Sequence, residues 1–245
     1  MNLNKYSRQI PLSFVGLTGQ KRINETKIAI IGAGALAHSC SIYLAAGGVG
    51  EFTFFDQDIV EESNLSRQIF FSEQDIGKSK VKCLIKYLEK IHDKTKFNSI
   101  EKFFCKNDES LIPSDYHLII NASDNYLTRK SINLVSLKKN IPWLDMGILK
   151  MQGHFCIYNP GCGCYECLFQ NIPESTRNCS FSGILSPVCG VIGSYGANEV
   201  LKYILNKNQN FINEYIQFDL DKNIFKKFFW KKNKNCILCQ NIQSV

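Results

Sequence analysis

Residues 27–37 constrain this chain most. Lys27-Ile-Ala-Ile-Ile31 is a short apolar run rich in β-branched residues, and it leads without a break into Gly32-Ala-Gly-Ala-Leu-Ala37. A continuous apolar run of this length suits a strand covered on both faces, as in a parallel sheet. The glycine spacing is the G-x-G-x-x-A form of the dinucleotide fingerprint. Gly32 is read as the tight turn and Gly34 as the point where backbone approaches a phosphate. Ala37 is small enough for the next helix, about 36–46, to pack on the sheet. That helix would aim its first N–H groups at an anion. The whole stretch 28–50 carries no charge and is long enough to raise the question of a membrane span. Its five glycines, Gly32, Gly34, Gly47, Gly48 and Gly50, and the central His38 break it instead into strand, turn, helix and loop.

Glu51-Phe-Thr-Phe-Phe55 is the next strand, and Asp56 ends it. An acid about 20 residues beyond the glycines is placed for ribose hydroxyls. This much is shared with nicotinamide enzymes. The residues that follow point elsewhere. Ser63-Asn-Leu-Ser-Arg-Gln68 supplies Asn64 and Arg67, and Gly77-Lys-Ser-Lys80 opens an amphipathic helix over 78–91. A hydride-transfer site does not need two cations here, whereas a triphosphate does: Arg67 offers a planar fork and Lys80 a point charge. Tyr116-His-Leu-Ile-Ile120 predicts a further strand running into Asn121-Ala-Ser-Asp-Asn125. Asp124, just past its C-terminal end, can hold Mg²⁺ against phosphates. Alternatively, Asp124 or Asn125 caps the helix over 126–139.

The second half carries Cys164-Tyr-Glu-Cys167 and Cys236-Ile-Leu-Cys239. Two C-x₂-C hooks have the spacing of a structural Cys₄ zinc site, Cys164, Cys167, Cys236 and Cys239. Cys162 offers a competing pair with Cys164, and the C-x₂-C match with the second hook decides against it. The separation of the hooks makes the metal a clamp on the C-terminal segment. Cys179 lies in a polar, turn-like stretch beside Arg177, where an exposed thiol can be reactive. Cys40, Cys83, Cys105, Cys156 and Cys189 read as packing residues, and His38, His92, His117 and His154 as structural or surface residues. Residues 1–27 show no apolar leader, so the eleven cysteines are expected as cytoplasmic thiols or metal ligands rather than a disulfide framework. The net charge of +7 fits a solvated basic surface, an acidic partner or nucleotide phosphates equally well. The Lys- and Phe-rich run 226–234 is read as a protected edge strand before the second hook rather than as a nucleic-acid surface.

In this order, these landmarks resemble the ThiF/MoeB/HesA family, relatives of ubiquitin-activating enzymes. The similarity runs from Tyr6-Ser-Arg-Gln-Ile10 to Cys239 and is most specific at Tyr6–Gln9, Ser63–Gln68, Ser123–Asn125, the two hooks and Gly190–Gly193. The resemblance implies adenylation of the C-terminal glycine carboxylate of a small ubiquitin-like sulfur carrier ending in Gly-Gly, with ATP, Mg²⁺ and structural Zn²⁺. It implies that Asp56 holds the ribose, that Ser63, Asn64, Arg67 and Lys80 lie on the phosphates beside Gly32, Gly34 and Ala35, and that Asp124 with Asn125 holds Mg²⁺. It further implies a homodimer in which Arg8 or Arg67 acts across the interface, and a persulfide protein as sulfur donor. The stretch Cys164–Leu168 followed by Glu174–Ser180 is most similar to the ThiF branch, which serves thiazole synthesis through the carrier ThiS. There the cysteine matching Cys179 forms an acyl-disulfide with the carrier's thiocarboxylate. The MoeB type, which activates the small subunit of molybdopterin synthase, shares nearly every motif. The chain departs from the family's G-x-G-G-x-G at Ala35 and Ala37. The Ala35 methyl, near the phosphates, predicts slower turnover or a shifted nucleotide.

The fold expected is a single α/β domain over 1–245, with a Rossmann-like doubly wound, mostly parallel sheet. A nucleotide-binding half over 1–145 has strands at 27–31, 51–55, 98–104, 116–121 and 141–145. A carrier-binding half over 146–245 adds antiparallel strands at 148–158, 214–219 and 224–230, a helix over 190–205 and the zinc clamp. No membrane segment and no nucleic-acid partner is expected.

Overall fold

A computed structural model describes residues 3–169, 183–206 and 213–242. Among the described residues one eight-stranded sheet organises the chain, in the order β3-β2-β1-β4-β5-β6-β7-β8. The strands are β1 (Lys27–Ile31), β2 (Glu51–Phe55), β3 (Lys96–Ile100), β4 (Leu118–Asn121), β5 (Trp143–Leu149), β6 (Gln152–Tyr158), β7 (Glu214–Asp219) and β8 (Ile224–Phe229). The first five are parallel, and β6, β7 and β8 continue the sheet antiparallel from β5. The Rossmann-like arrangement with an antiparallel extension is therefore present. Strand order reverses between β1 and β4, and in open parallel sheets the crevice at such a switch point is where ligands bind.

The helices are α1 (Gly16–Glu25), α2 (Ala35–Gly47), α3 (Lys80–Ile91), α4 (Tyr126–Lys139), α5 (Tyr165–Leu168), α6 (Ser186–Ile204) and α7 (Ile237–Ile242). Side chains alternate across the strands. Ile28, Ile30, Phe52, Phe54, Leu118 and Ile120 face a core shared with α2, α3 and α6. Ala29, Ile31, Phe55, Ile119 and Trp143 face the other side, beneath Ile132 and Val135 of α4. The uncharged stretch 28–50 is divided into β1, the glycine turn, α2 and the αL cap Gly48. No described helix is long and apolar enough to cross a membrane.

Several boundaries differ from expectation for identifiable reasons. The third strand lies over Lys96–Ile100, not 98–104, because its register is set by the five residues of β2, Glu51↔Lys96 through Phe55↔Ile100. Phe103 and Phe104 come after the strand has ended. Phe104 meets Phe55 edge-on at 5.3 Å, and Phe103 lines the cavity described below. The break expected near 146–147 falls inside β5, which pairs with β6 from Trp143↔Tyr158 to Leu149↔Gln152. The turn instead comes at Lys150, whose φ is +57°. Helix α6 starts earlier than expected, at Ser186, with Pro187 in its first turn, where the missing N–H has no helical partner to lose. Helices α1, α5 and α7 were not anticipated. Strand β8 is exposed along its whole length, and Lys226 and Lys227 sit at its centre, as the edge-strand reading requires.

Candidate functional site

The turn after β1 is shaped by two contacts. Gly32 adopts φ +102°, and a Cβ there would stand 2.9 Å from the Ala122 carbonyl carbon and oxygen. Asp56, at the end of β2, accepts from Ala33 N at 2.7 Å and from Asp58 N at 2.8 Å. The β1 turn, the β2 end and the loop after β4 are thus held against one another. Gly32→Ala should destabilise the protein, since it combines left-handed backbone with a backbone clash worth about 1–3 kcal/mol. In a chain of this size that is about 3–10 °C in Tm, read by thermal unfolding.

These turns form one wall of a cavity of about 750 Å³ lying over the C-terminal ends of the parallel strands and continuing along β5, β6 and β7. Gly32, Gly34, Ala35, Asp56, Asn64, Arg67, Lys80, Asp124 and Asn125 all line it. Asn64 is buried and closes a short 3-10 turn by accepting from Glu61 N at 3.2 Å. Arg67 donates through Nη1 to the Ser63 carbonyl at 2.8 Å, which fixes its head group. Lys80 is almost wholly buried, with its ammonium 3.0 Å from Asp58 Oδ2. Asp124 is exposed, and among the described residues nothing pairs with its carboxylate. Asn125 is the N-cap of α4, accepting from Leu127 N at 2.8 Å and Thr128 N at 3.1 Å. Asn125 rather than Asp124 is therefore the capping residue. An unpaired carboxylate in the same cavity as two cations can hold a hard cation carried in with phosphates, and Mg²⁺ is bound in this way, through one or two carboxylates plus substrate oxygens.

Among the described residues, two that were expected at the nucleotide are not brought to this cavity. Ser63 is exposed; its hydroxyl donates to Glu61 Oε2 at 3.3 Å and accepts from Asn64 Nδ2 at 3.3 Å, while its carbonyl braces Arg67. Arg8 is exposed and does not line the cavity of its own chain. Cys179 lies outside the described residues.

Other residues were missed. Asp145, on β5, is 1% exposed, and both its oxygens accept from Arg129 Nε in a bifurcated hydrogen bond, at 2.9 and 3.2 Å. It also accepts from Asn121 Nδ2 at 2.7 Å, and His154 Nε2 lies 3.5 Å from its other oxygen. Burial alone would raise the Asp145 carboxyl, but Arg129, His154 and Asn121 hold it below its ordinary value. His154, expected to be structural or on the surface, lies over Gly147, where a Cβ would stand 2.3 Å from its ring, and stacks on Tyr215 at 5.3 Å. Arg129, Asp145 and His154 all line the cavity. Gln68, 4% exposed, also lines it. By contrast His38 is structural as expected. It stacks on Phe70 at 4.8 Å, accepts from Phe70 N through Nδ1 at 3.3 Å, and burial pushes it down to about 3, so it stays neutral.

Cys164, Cys167, Cys236 and Cys239 are buried together, all four sulfurs lying within 4.8 Å of one another. The closest Sγ pairs are 3.8, 3.7 and 3.5 Å apart. Zinc–thiolate bonds of about 2.3 Å in a tetrahedron place the sulfurs about 3.8 Å apart, so the donor type and the spacing both fit zinc. The first hook brackets α5 and the second opens α7, which joins the mid-chain to the C-terminal segment beside α4.

Residues 6–238 match the model of the ThiF family. The chain is 33% identical over 247 residues to "Adenylyltransferase and sulfurtransferase MOCS3" of Culex quinquefasciatus, covering 98% of this chain and 56% of that protein. It is 30% identical over 239 residues to "SAMP-activating enzyme E1" of Haloferax volcanii, covering 97% and 88%. It thus spans about half the length of the MOCS3 relatives and most of the archaeal one. Among solved structures, that of E. coli MccB with succinimide superimposes with a TM-score of 0.84 at 25% identity, over 98% of this chain and 74% of that one. That of E. coli MccB with ATP superimposes with a TM-score of 0.78 at 25% identity, over 90% and 68%.

Proposed function

The chain belongs to the ThiF family, and from that premise we propose that it is an ATP-dependent adenylyltransferase acting on the C-terminal carboxylate of a small ubiquitin-like protein. One observation carries the reading. A single cavity at the sheet's switch point gathers a glycine turn, two cations and an unpaired carboxylate, then continues along β5 to β7 with room for a second reactant. The names of the relatives and the MccB structure with ATP support the same chemistry.

In this reading Asp56 lies at the ribose, as the end of β2 does in dinucleotide folds. Gly32, Gly34 and the start of α2 face the phosphates, and Asn64, Arg67 and Lys80 bind them. Asp124 holds Mg²⁺, which neutralises phosphate charge. A carboxylate oxygen of the carrier bonds to the α-phosphorus as the bridging oxygen to the β-phosphorus leaves with its electron pair. The products are an acyl-adenylate and pyrophosphate. The nucleophile is already ionised, so no general base is needed. The barrier lies in bringing one anion onto another, and fixed cations lower it. Arg8 serves the cavity of a second copy in a homodimer. The zinc site clamps the C-terminal half, and a persulfide protein supplies sulfur after activation.

For the carrier, the sequence of Cys164–Leu168 and the segment around Cys179 supports the ThiS type, in the synthesis of thiazole for thiamine. The relatives' names, MOCS3 and SAMP-activating enzyme, favour a wider range, and MoeB-type activation of the molybdopterin synthase small subunit is the second reading. The test is exchange of labelled pyrophosphate into ATP with each Gly-Gly-ending carrier in turn. Exchange with one carrier is the expected result. No exchange with any, together with no ATP binding, would remove the proposal. Intact mass measurement of the same mixtures with a persulfide donor reads any adduct on Cys179.

A further inference from the structure

The buried Arg129–Asp145 pair has no role in the chemistry outlined above, yet it lies beneath the cavity. A buried ion pair seldom stabilises a fold more than an apolar pair of the same volume would, so its presence beside a site calls for a second reason. The remaining contacts of Arg129 supply one. Its Nη2 donates to the Ser123 carbonyl at 3.4 Å and to the Met146 carbonyl at 3.3 Å. Ser123 immediately precedes Asp124, and Met146 immediately precedes Gly147, over which His154 lies.

Asn121 completes the frame. Its Nδ2 reaches Asp145 Oδ1 at 2.7 Å and the Ser123 carbonyl at 3.4 Å. Its Oδ1 accepts from Ser123 N at 3.2 Å and Ser123 Oγ at 2.7 Å. Every polar group of Ser123 is therefore tied to Asn121 or Arg129, while the Asp124 carboxylate next to it has no partner among the described residues. On its other side the loop is fixed by the Asn125 cap of α4. The loop is thus held by hydrogen bonds on both sides of Asp124, the one acid of the cavity lining that no described residue pairs with.

We propose that Arg129, held by Asp145 and Asn121, is a positioning residue that sets the Asp124 carboxylate at a fixed place relative to β5, so that the cation it holds meets the nucleotide at the point the acyl group approaches. This rests on the adenylation reading. Groups that orient a metal-holding carboxylate without touching the metal typically contribute about 10–100-fold to metal affinity or activity.

The test uses the full chain with Arg129→Lys and with the double variant Arg129→Met/Asp145→Leu. Arg129→Lys keeps the charge beside Asp145 but loses the planar fork. The double variant leaves no buried charge unpaired. ATP binding is measured calorimetrically with and without Mg²⁺, beside Tm and pyrophosphate exchange. Both variants should fold and bind ATP alone as the wild type does. The gain in ATP affinity on adding Mg²⁺, and the exchange rate, should each fall by about 10–100-fold. Wild-type gain and wild-type exchange in the double variant would overturn the assignment. So would failure of the double variant to fold, because the pair would then be part of the core alone. A wild-type protein that neither binds ATP nor exchanges pyrophosphate would remove the adenylation reading instead.

Discussion

Arg67→Ala should reduce pyrophosphate exchange by about 10²–10³-fold, the loss usual for one preorganised group that stabilises charge in a transition state. Three features make the expected effect large. The Arg67 guanidinium is braced by the Ser63 carbonyl at 2.8 Å, so little reorganisation is needed when a phosphate arrives. It stands in the same cavity as Lys80, whose ammonium is nearly buried, where screening by water is weak. Ala leaves no donor, and Lys in its place would supply charge without the fork. Asp124→Ala should produce a loss of the same order by a different route, through the metal, and excess Mg²⁺ should recover part of it. Neither variant should lower Tm noticeably. Arg67 is only half-buried and Asp124 is exposed without a described partner. Wild-type exchange by both would mean that this cavity is not where the phosphates lie.

Removal of zinc is the second large effect. Cys236→Ser/Cys239→Ser, or prolonged chelation, should release one zinc per chain and lower Tm by about 10–20 °C, corresponding to about 5 kcal/mol in a chain of this length. The basis is geometric. Four buried sulfurs at tetrahedral spacing form a site where zinc would contribute directly to folding, as it does by about 10–16 kcal/mol in isolated zinc-binding peptides. Here the rest of the sheet persists without it, so the loss is smaller. Metal content by atomic spectroscopy and the melting curve are the measurements. A zinc-free protein that melts with the wild type would show that the knot is not a clamp. Acid should act as the chelator does, because protons compete with the metal for the thiolates.

What the sequence revealed, and what it hid, follows from how each signal is written. The glycine turn, Asp56, Arg67, Lys80 and Asp124 were legible because each is fixed by its own neighbours: a β-branched run before the glycines, an acid at a strand end, a cation at a helix start. The cysteine hooks were legible for the same local reason. Arg129, Asp145 and His154 were not. Asp145 sits in the apolar run Trp143–Met146, Arg129 reads as one of several cations on a helix, and His154 as an isolated ring on a strand. They meet only through the β4–β5 and β5–β6 registers, Asn121↔Asp145 and Gly147↔His154, which no local pattern encodes. Ser63 shows the opposite failure. The motif predicts the whole run at the cavity, but Ser63 lies exposed outside the lining, its hydroxyl bonded to Glu61 and Asn64.

Strand β5 is parallel to β4 on one side and antiparallel to β6 on the other, and the boundary near residue 145 that separates the two expected halves falls within it. Its near end carries Asp145, linked through Arg129 and Asn121 to the loop at Asp124, and its far end, Leu149, borders the part of the cavity that continues along β6 and β7. An extended backbone advances about 3.3 Å per residue and hardly stretches, so the four steps between them act as a ruler of about 13 Å. Lengthening the hairpin at Lys150 and Met151 would alter what meets the far mark while leaving the near one in place, a route by which such a scaffold can change its acyl partner without recalibrating the nucleotide.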